Sequence, residues 1–192
     1  MLLTNPTHPF ANKITFDMLR FPRPASSSLT GLLGTMGVSP LPKVSGHTPT
    51  IDQNKEYKVT DKDDYAIVLS NDTDVDLYVQ AWYFDPDVYT VDVLYEPVSG
   101  APPTLPGKGG TLQIGVSPQV SWPLTFFVPE GGEESTLFAK VFLTDRPVKV
   151  RCMEQAAIIG VDGGKDGNVQ QGEVEIGGVW DTVLQPITVV RG

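Results

Sequence analysis

The chain has one cysteine and two histidines among 192 residues, which is too few for most redox and metal sites. Cys152 alone cannot form an internal disulfide, a thiolate zinc site or a redox pair, and a single thiol is typical of a reducing compartment. The N-terminal stretch lacks the basic and apolar regions of a secretory signal, and no run approaches the ~20 apolar residues of a membrane span. We therefore predict a cytoplasmic protein that does not bind a membrane.

Positive charge is also scarce. Lys and Arg number 14 against 23 Asp and Glu, and a net charge of −9 repels a phosphate backbone, so nucleic acid is excluded as a partner. Hydrophobic residues make up 40% and charged residues 19%, which is enough apolar material for one globular domain. The 19 glycines and 17 prolines favour many short strands joined by turns over a helical bundle.

The pattern along the chain predicts two parts. Residues 1–54 are rich in Pro, Ser and Gly and form an irregular N-terminal arm with one strand at 14–20. Residues 55–192 contain runs rich in Val, Ile, Tyr, Phe and Trp, separated by turn residues. The runs are 56–60, 65–70, 77–84, 89–95, 111–115, 124–128, 137–143, 148–153 and 183–190. This pattern predicts an all-β protein, an antiparallel β-sandwich of jelly-roll or immunoglobulin-like type with about 8–10 strands.

Two turn sequences predict how some of these strands pair. Asn71–Asp74 and Asp85–Asp87 both have the composition of hairpin turns, so we expect an antiparallel meander of the three runs that they join. Both faces of the run at 77–84 are apolar, as in a strand buried in the middle of a sandwich. Pro186 cannot donate a backbone hydrogen bond, which confines the last strand to an edge or a bulge.

The order of several motifs resembles a known family. The motifs are YVQAWYFDP (78–86), LPGKGGTLQIG (105–115), WPLTFFVPEG (122–131), LFAKVFLTDRPVKV (137–150) and WDT (180–182). Together they are similar to the accessory β-sandwich domain that follows caspase-like and CHAT-type protease domains in mushroom-forming fungi. The resemblance implies a non-catalytic module, and the protease domain that the family carries upstream is missing from this chain.

Enzymatic chemistry finds little support in the residues. Ser45, Gly46 and His47 match the Ser-Gly-His of caspase-type proteases, and Cys152 would be the nucleophile. However, His47 lies between prolines and Cys152 lies in a basic strand-like run, so a loop histidine and a core cysteine are the better interpretation. We predict that the protein is not an enzyme.

One segment has the spacing of a calcium-binding loop. Asp162, Asp166, Gly167 and Glu173 fall at positions 1, 5, 6 and 12 of such a loop, but Gly164 at position 3 supplies no ligand. No amphipathic helix flanks the segment, which favours an exposed Gly/Asp hairpin. We therefore predict that the protein has no cofactor. The alternative is a weak calcium-binding loop with Asp162, Asp166 and Glu173 as ligands.

Acidic residues give a first candidate binding surface. Residues 61–87 contain eight aspartates and one lysine. The alternate spacing of Asp72, Asp74 and Asp76 points three carboxylates one way, and turns at one end of a sandwich would gather them with Asp85 into an acidic rim. Turn chemistry and solubility explain the same residues without any ligand. The functional interpretation is a site for a cation or a basic partner.

Aromatic residues give a second candidate binding surface. Trp82 and Tyr83 are neighbours on a predicted strand, so their side chains face opposite sides and one of them is expected to be exposed. An exposed aromatic beside the acidic rim would anchor a partner. These features predict an interaction module that recognises a protein. The alternative is a cytosolic carbohydrate-binding protein of lectin type. Open sheet edges also leave a homodimer as an alternative.

Overall fold

The computed structural model describes residues 5–22, 56–87, 89–115, 123–148 and 178–192, which form nine β-strands. They are β1 (Ile14–Pro22), β2 (Tyr57–Thr60), β3 (Asp63–Asn71), β4 (Tyr78–Asp85), β5 (Thr90–Tyr95), β6 (Gly110–Ile114), β7 (Leu124–Thr125), β8 (Glu134–Thr144) and β9 (Trp180–Val190). Within these ranges no helix is long and apolar enough to cross a membrane. The predicted all-β, sandwich-like fold is confirmed.

The strands form two sheets. In the first, β3 lies between β1 and β6, and β7 also pairs with β3. The second has the order β2-β9-β8-β4-β5. All pairs are antiparallel except β2 and β9, where Tyr57 lies opposite Ile187 in a parallel pair. Because side chains alternate between the two faces of a strand, every second residue of a strand points towards the other sheet.

One hydrophobic core fills the space between the sheets. Its buried members come from both layers, for example Ile67 and Leu69 of β3 with Val79 and Val141 of the second sheet. A smaller cluster lies on the other face of the second sheet, where Trp82 and Phe142 are buried. The middle of β4 is therefore buried on both of its faces, as its sequence predicts.

The N-terminal strand is an integral part of the first sheet. β1 pairs with β3 over its whole length, from Ile14 opposite Asn71 to Pro22 opposite Asp63. The ring of Phe16 is 1% exposed and its carbonyl accepts a hydrogen bond from the hydroxyl of Tyr57 at 2.7 Å. A strand that the sequence assigns to an irregular arm thus closes one side of the core.

One of the two predicted hairpins is wrong and the other is correct. β3 and β4 lie in different sheets, so the segment between them is a crossing from one layer to the other and no three-strand meander forms. The turn at Asp85–Asp87 does join an antiparallel pair, β4 and β5. The connection between β3 and β4 contains residues 72–77 and is longer than a tight hairpin turn. This length is enough for the chain to cross from one sheet to the other.

Three of the predicted strand runs differ from the strands of the structure. The run at 124–128 is a strand only at Leu124–Thr125, and Val148 lies outside any strand, while 149–153 fall outside the described residues. Pairing between β2 and β9 begins at Ile187, so at Pro186 strand β9 has β8 as its single neighbour among the described strands. Beyond Pro186 the strand is central, and the prediction of an edge strand holds only at the proline.

The packing of β1 can be tested with Phe16→Ala. Removing this buried ring should lower the free energy of unfolding by about 3–5 kcal/mol, because it leaves a cavity in the core. Equilibrium urea unfolding measures the change. The exposed neighbour Lys13→Ala is the control and should change stability by less than about 0.5 kcal/mol. Equal stability of the two variants would show that β1 is not part of the cooperative fold.

Candidate functional site

The structure separates the acidic residues that the sequence grouped. β3 ends at Asn71 and β4 runs back from Tyr78 to Asp85, so Asp72, Asp74 and Asp76 lie at one end of the sandwich and Asp85 at the other. The eight residues of β4 place the two ends about 25 Å apart. The prediction of a single acidic rim is wrong, because the chain reverses direction between β3 and β4 and successive turns therefore alternate between the two ends.

The segment at residues 72–76, called the acidic loop below, is organised by the side chain of Asn71. This side chain is fully buried. Its Nδ2 donates to the carbonyl of Val75 at 2.8 Å and to that of Leu105 at 3.3 Å. Its Oδ1 accepts from the amide and the hydroxyl of Thr73 at 2.9 and 2.7 Å. The loop is therefore held by side chains that bond to its own backbone.

A second segment packs against the acidic loop and fixes it further. The amide of Lys108 donates to the carbonyl of Thr73 at 2.7 Å, and the amide of Gly107 donates to Oδ1 of Asp76 at 2.8 Å. Gly107 is required by this close approach, since a Cβ there would lie 2.8 Å from the Thr73 oxygen. The backbone of the acidic loop is thus bonded from both sides.

The carboxylates of the acidic loop differ in what they do. That of Asp76 is used internally, as the acceptor for Gly107. Asp72 and Asp74 are exposed, and within the described part of the chain their side chains make no hydrogen bond or ion pair. Val75 between them is also exposed, at 43%. The loop presents two unpaired carboxylates and an apolar side chain on a fixed backbone.

Trp82 is not the exposed aromatic that the sequence suggested. It is 5% exposed and packs in the outer cluster with Phe142, whose ring stacks on that of Trp180 at 5.6 Å between centroids. These partners come from β8 and β9, far away in the sequence. The aromatic anchor predicted from Trp82 is therefore a packing residue.

Tyr83 is the half-buried member of the pair. Its hydroxyl donates to Oδ2 of Asp92 at 2.6 Å. Burial raises the pKa of Tyr83 to about 12, and the hydrogen bond from the neutral phenol to Asp92 and the nearby negative charge of that carboxylate add to the shift. The hydroxyl of Tyr83 already donates its proton to Asp92, so it can only accept a hydrogen bond from a partner.

Two aromatics that the sequence did not single out are exposed. Phe127 is 74% exposed and Tyr89 is 54% exposed. Phe126 is buried against Tyr65, so its neighbour Phe127 faces away from the core. The alternation rule applied to the Phe126–Phe127 pair would have predicted this. Phe127 follows the pairing of Thr125 with Asp64 at the start of β3, so it lies at the end opposite the acidic loop.

The remaining sequence candidates lie outside the described residues. These are the calcium-loop positions Asp162, Asp166 and Glu173, and the pair His47 and Cys152. In the ranges that the structure does describe, no group of three or more His, Cys, Asp or Glu side chains is placed to hold a metal ion. Among the predicted site residues, Asp72, Asp74 and Asp76 lie together in the acidic loop.

The comparisons with known proteins add no relative. The chain matches no protein-family model, and neither a curated protein nor a solved structure is similar to it. The resemblance to the accessory domains of fungal proteases therefore stays a prediction.

The role of Asn71 can be tested with Asn71→Ala. This change removes four hydrogen bonds and leaves the amide of Thr73 without its partner, while the carbonyls of Val75 and Leu105 keep their bonds from the Thr73 hydroxyl and the Leu77 amide. We expect a loss of about 2–4 kcal/mol in the free energy of unfolding. Equilibrium urea unfolding measures it. The control is Asp74→Asn in the same loop, which should cost less than about 0.5 kcal/mol because the side chain is exposed. A loss below about 1 kcal/mol for Asn71→Ala would contradict the organising role.

The environment of Tyr83 predicts a dependence on pH. A phenol whose pKa is raised on folding contributes stability that is complete below pH 10 and is lost as the pH rises from 10 towards 12. The phenolate absorbance titration of the protein minus that of Tyr83→Phe should show a transition near pH 12. Asp92→Asn should move this transition part of the way back. A difference curve centred at pH 10 would refute the assignment.

Proposed function

We propose that this protein is a non-catalytic interaction module that binds a basic segment of a protein partner through the acidic loop. The observation that carries the proposal is the pair of exposed carboxylates, Asp72 and Asp74, which have no partner among the described residues and lie on a backbone held by buried side chains. Exposed carboxylates of this kind are available to a partner's cations.

The fixed backbone of the loop supports this proposal thermodynamically. A flexible loop has to lose conformational freedom when it binds, and that loss reduces affinity. Here the hydrogen bonds of Asn71 and Thr73 have already ordered the loop during folding. The exposed side chain of Val75 adds an apolar contact between the charges. The loop is preorganised for a partner with complementary charge.

Carbohydrate binding is the weaker candidate. A sugar ring usually stacks on an exposed aromatic face, and the tryptophan expected to provide it, Trp82, is buried in the outer cluster. Simple sugars therefore serve as competitors of the captured partner.

The proposal is tested by affinity capture from the lysate of the source organism. The double variant Asp72→Asn/Asp74→Asn should reduce recovery of a saturable protein partner by about tenfold or more, because it removes both unpaired carboxylates. The matched control is Glu130→Gln/Glu133→Gln, which removes two exposed carboxylates at the other end and leaves the same net charge.

Both double variants change the net charge equally, so a difference in partner recovery between them reports on the acidic loop itself. An equal loss in both would assign binding to net charge, and unchanged recovery with the loop variant would exclude the acidic loop. Elution of the captured protein by simple sugars in parallel would support carbohydrate binding in its place. The captured partner should also dissociate as the salt concentration rises, since exposed charges are screened.

A further inference from the structure

The segment that precedes β1 docks on the end of the sandwich that carries the acidic loop. This segment, residues 5–13, is called the N-terminal clasp below. It consists of three successive turns closed by backbone hydrogen bonds of 3.0–3.3 Å. It lies against the start of β9, where Trp180 is opposite Thr144, and Thr144 is opposite Tyr78 at the start of β4. The clasp and the acidic loop therefore share one end of the molecule.

One buried carboxylate, that of Asp181, holds the clasp. Asp181 is 4% exposed. Its Oδ2 accepts a hydrogen bond from the amide of Phe10 at 3.0 Å, and its Oδ1 lies 3.0 Å from Nδ1 of His8. Because a carboxylate oxygen only accepts, Nδ1 of His8 is the donor. Asn5 adds a bond from its Nδ2 to the carbonyl of Trp180. These bonds join the clasp to the first two residues of β9.

The conformation of the clasp is imposed by these contacts. His8 has a φ of 40° and Asn12 a φ of 62°, in the left-handed region that residues other than glycine rarely adopt. A backbone of this kind persists where the surrounding structure holds it. Between these two residues the side chain of Phe10 is buried in the main core. We therefore expect residues 5–13 to close and open as one unit.

The clasp also bonds to the acidic loop. The carbonyl of Lys13 accepts a hydrogen bond from the amide of Asp72 at 2.8 Å. The next residue is held differently, because the amide and the hydroxyl of Thr73 both donate to the buried side chain of Asn71. The two exposed carboxylates thus have separate supports. Asp72 is bonded to the clasp, and Asp74 follows the bonds between Asn71 and Thr73.

We propose that the N-terminal clasp is a conformational device that positions Asp72. Closed on Asp181, it fixes the backbone of Asp72, and open, it releases that residue. This inference rests on the proposed function and names the regulation of the same site. A partner that contacts both carboxylates has to order Asp72 when the clasp is open, and that ordering reduces affinity. The closed clasp keeps the protein in the state that is competent to bind.

The inference is tested on the full chain by amide hydrogen exchange, without any partner. His8→Ala removes one donor to Asp181 at an exposed position and should populate the open clasp. The amides of Phe10 and Asp72 should exchange faster by the same factor, about threefold to tenfold, because both lose their acceptors in the same opening. The amide of Thr73, whose acceptor is not in the clasp, should be unchanged.

Lys13→Ala is the matched control within the clasp, because it removes an exposed side chain and keeps the carbonyl that accepts from Asp72. All three amides should then exchange as in the wild type. Faster exchange at Phe10 alone in His8→Ala would show that the clasp does not position Asp72. Unchanged exchange at both amides would show that this contact does not close the clasp, and equal acceleration of Thr73 would show a general loosening of the loop. Each of these three results would overturn the proposal.

The capture experiment gives a second arm. Asp181→Asn replaces one acceptor oxygen by a donor, so it should open the clasp and lower partner recovery as Asp72→Asn alone does. Added to Asp72→Asn, it should lower recovery no further, because the carboxylate that the clasp positions is already gone. A further loss in the combined variant would refute the proposal. Asp181 is buried and its variant can fail to fold, in which case the exchange of His8→Ala decides.

The two proposals can fail separately. If the amides of Phe10 and Asp72 respond together but capture of a partner does not depend on the acidic loop, the proposed function fails and the clasp stands. If capture depends on the loop but the exchange of Asp72 does not follow that of Phe10, the clasp alone is refuted.

Discussion

The buried side chain of Asn71 is the interaction on which the architecture depends. It lies where the chain leaves the first sheet, and it ties the carbonyls of Val75 and Leu105 and the amide of Thr73 to one amide group. The same region joins the connection before β6 to the start of β4, where Leu77 and Leu105 exchange backbone hydrogen bonds. One side chain therefore sets the crossing between the layers and also shapes the acidic loop.

The strand that follows this crossing is packed on both of its faces. In β4, Val79 and Ala81 face the main core, and Trp82 packs on the other side with Phe142. Gln80 lies between these packing positions, and its buried side chain donates through Nε2 to the carbonyl of Val148. A strand buried on both faces holds this polar group rigidly.

The acidic loop immediately precedes β4 and therefore lies at one end of the sandwich. In the proposed function, its exposed charges speed and orient the encounter with a basic partner. The buried side chain of Asn71 keeps those charges in place before the encounter.

The sequence by itself determined the all-β class, the position of most strands and the β4–β5 turn, since strand propensity, alternation and turn chemistry act over a few residues. Alternation also implied that Trp82 and Tyr83 face opposite sides of their strand. Only the tertiary structure decided which strands pair. It placed β3 and β4 in different sheets and set β2 parallel to β9, 130 residues further on in the case of Tyr57 and Ile187.

The same distinction holds for the site. The aspartates could be counted in the sequence, but the end of the sandwich that each one occupies follows from strand direction. Trp82 is buried because Phe142 and Trp180 arrive from β8 and β9. Burial depends on contacts between residues far apart in the chain, and local sequence patterns carry no information about those contacts.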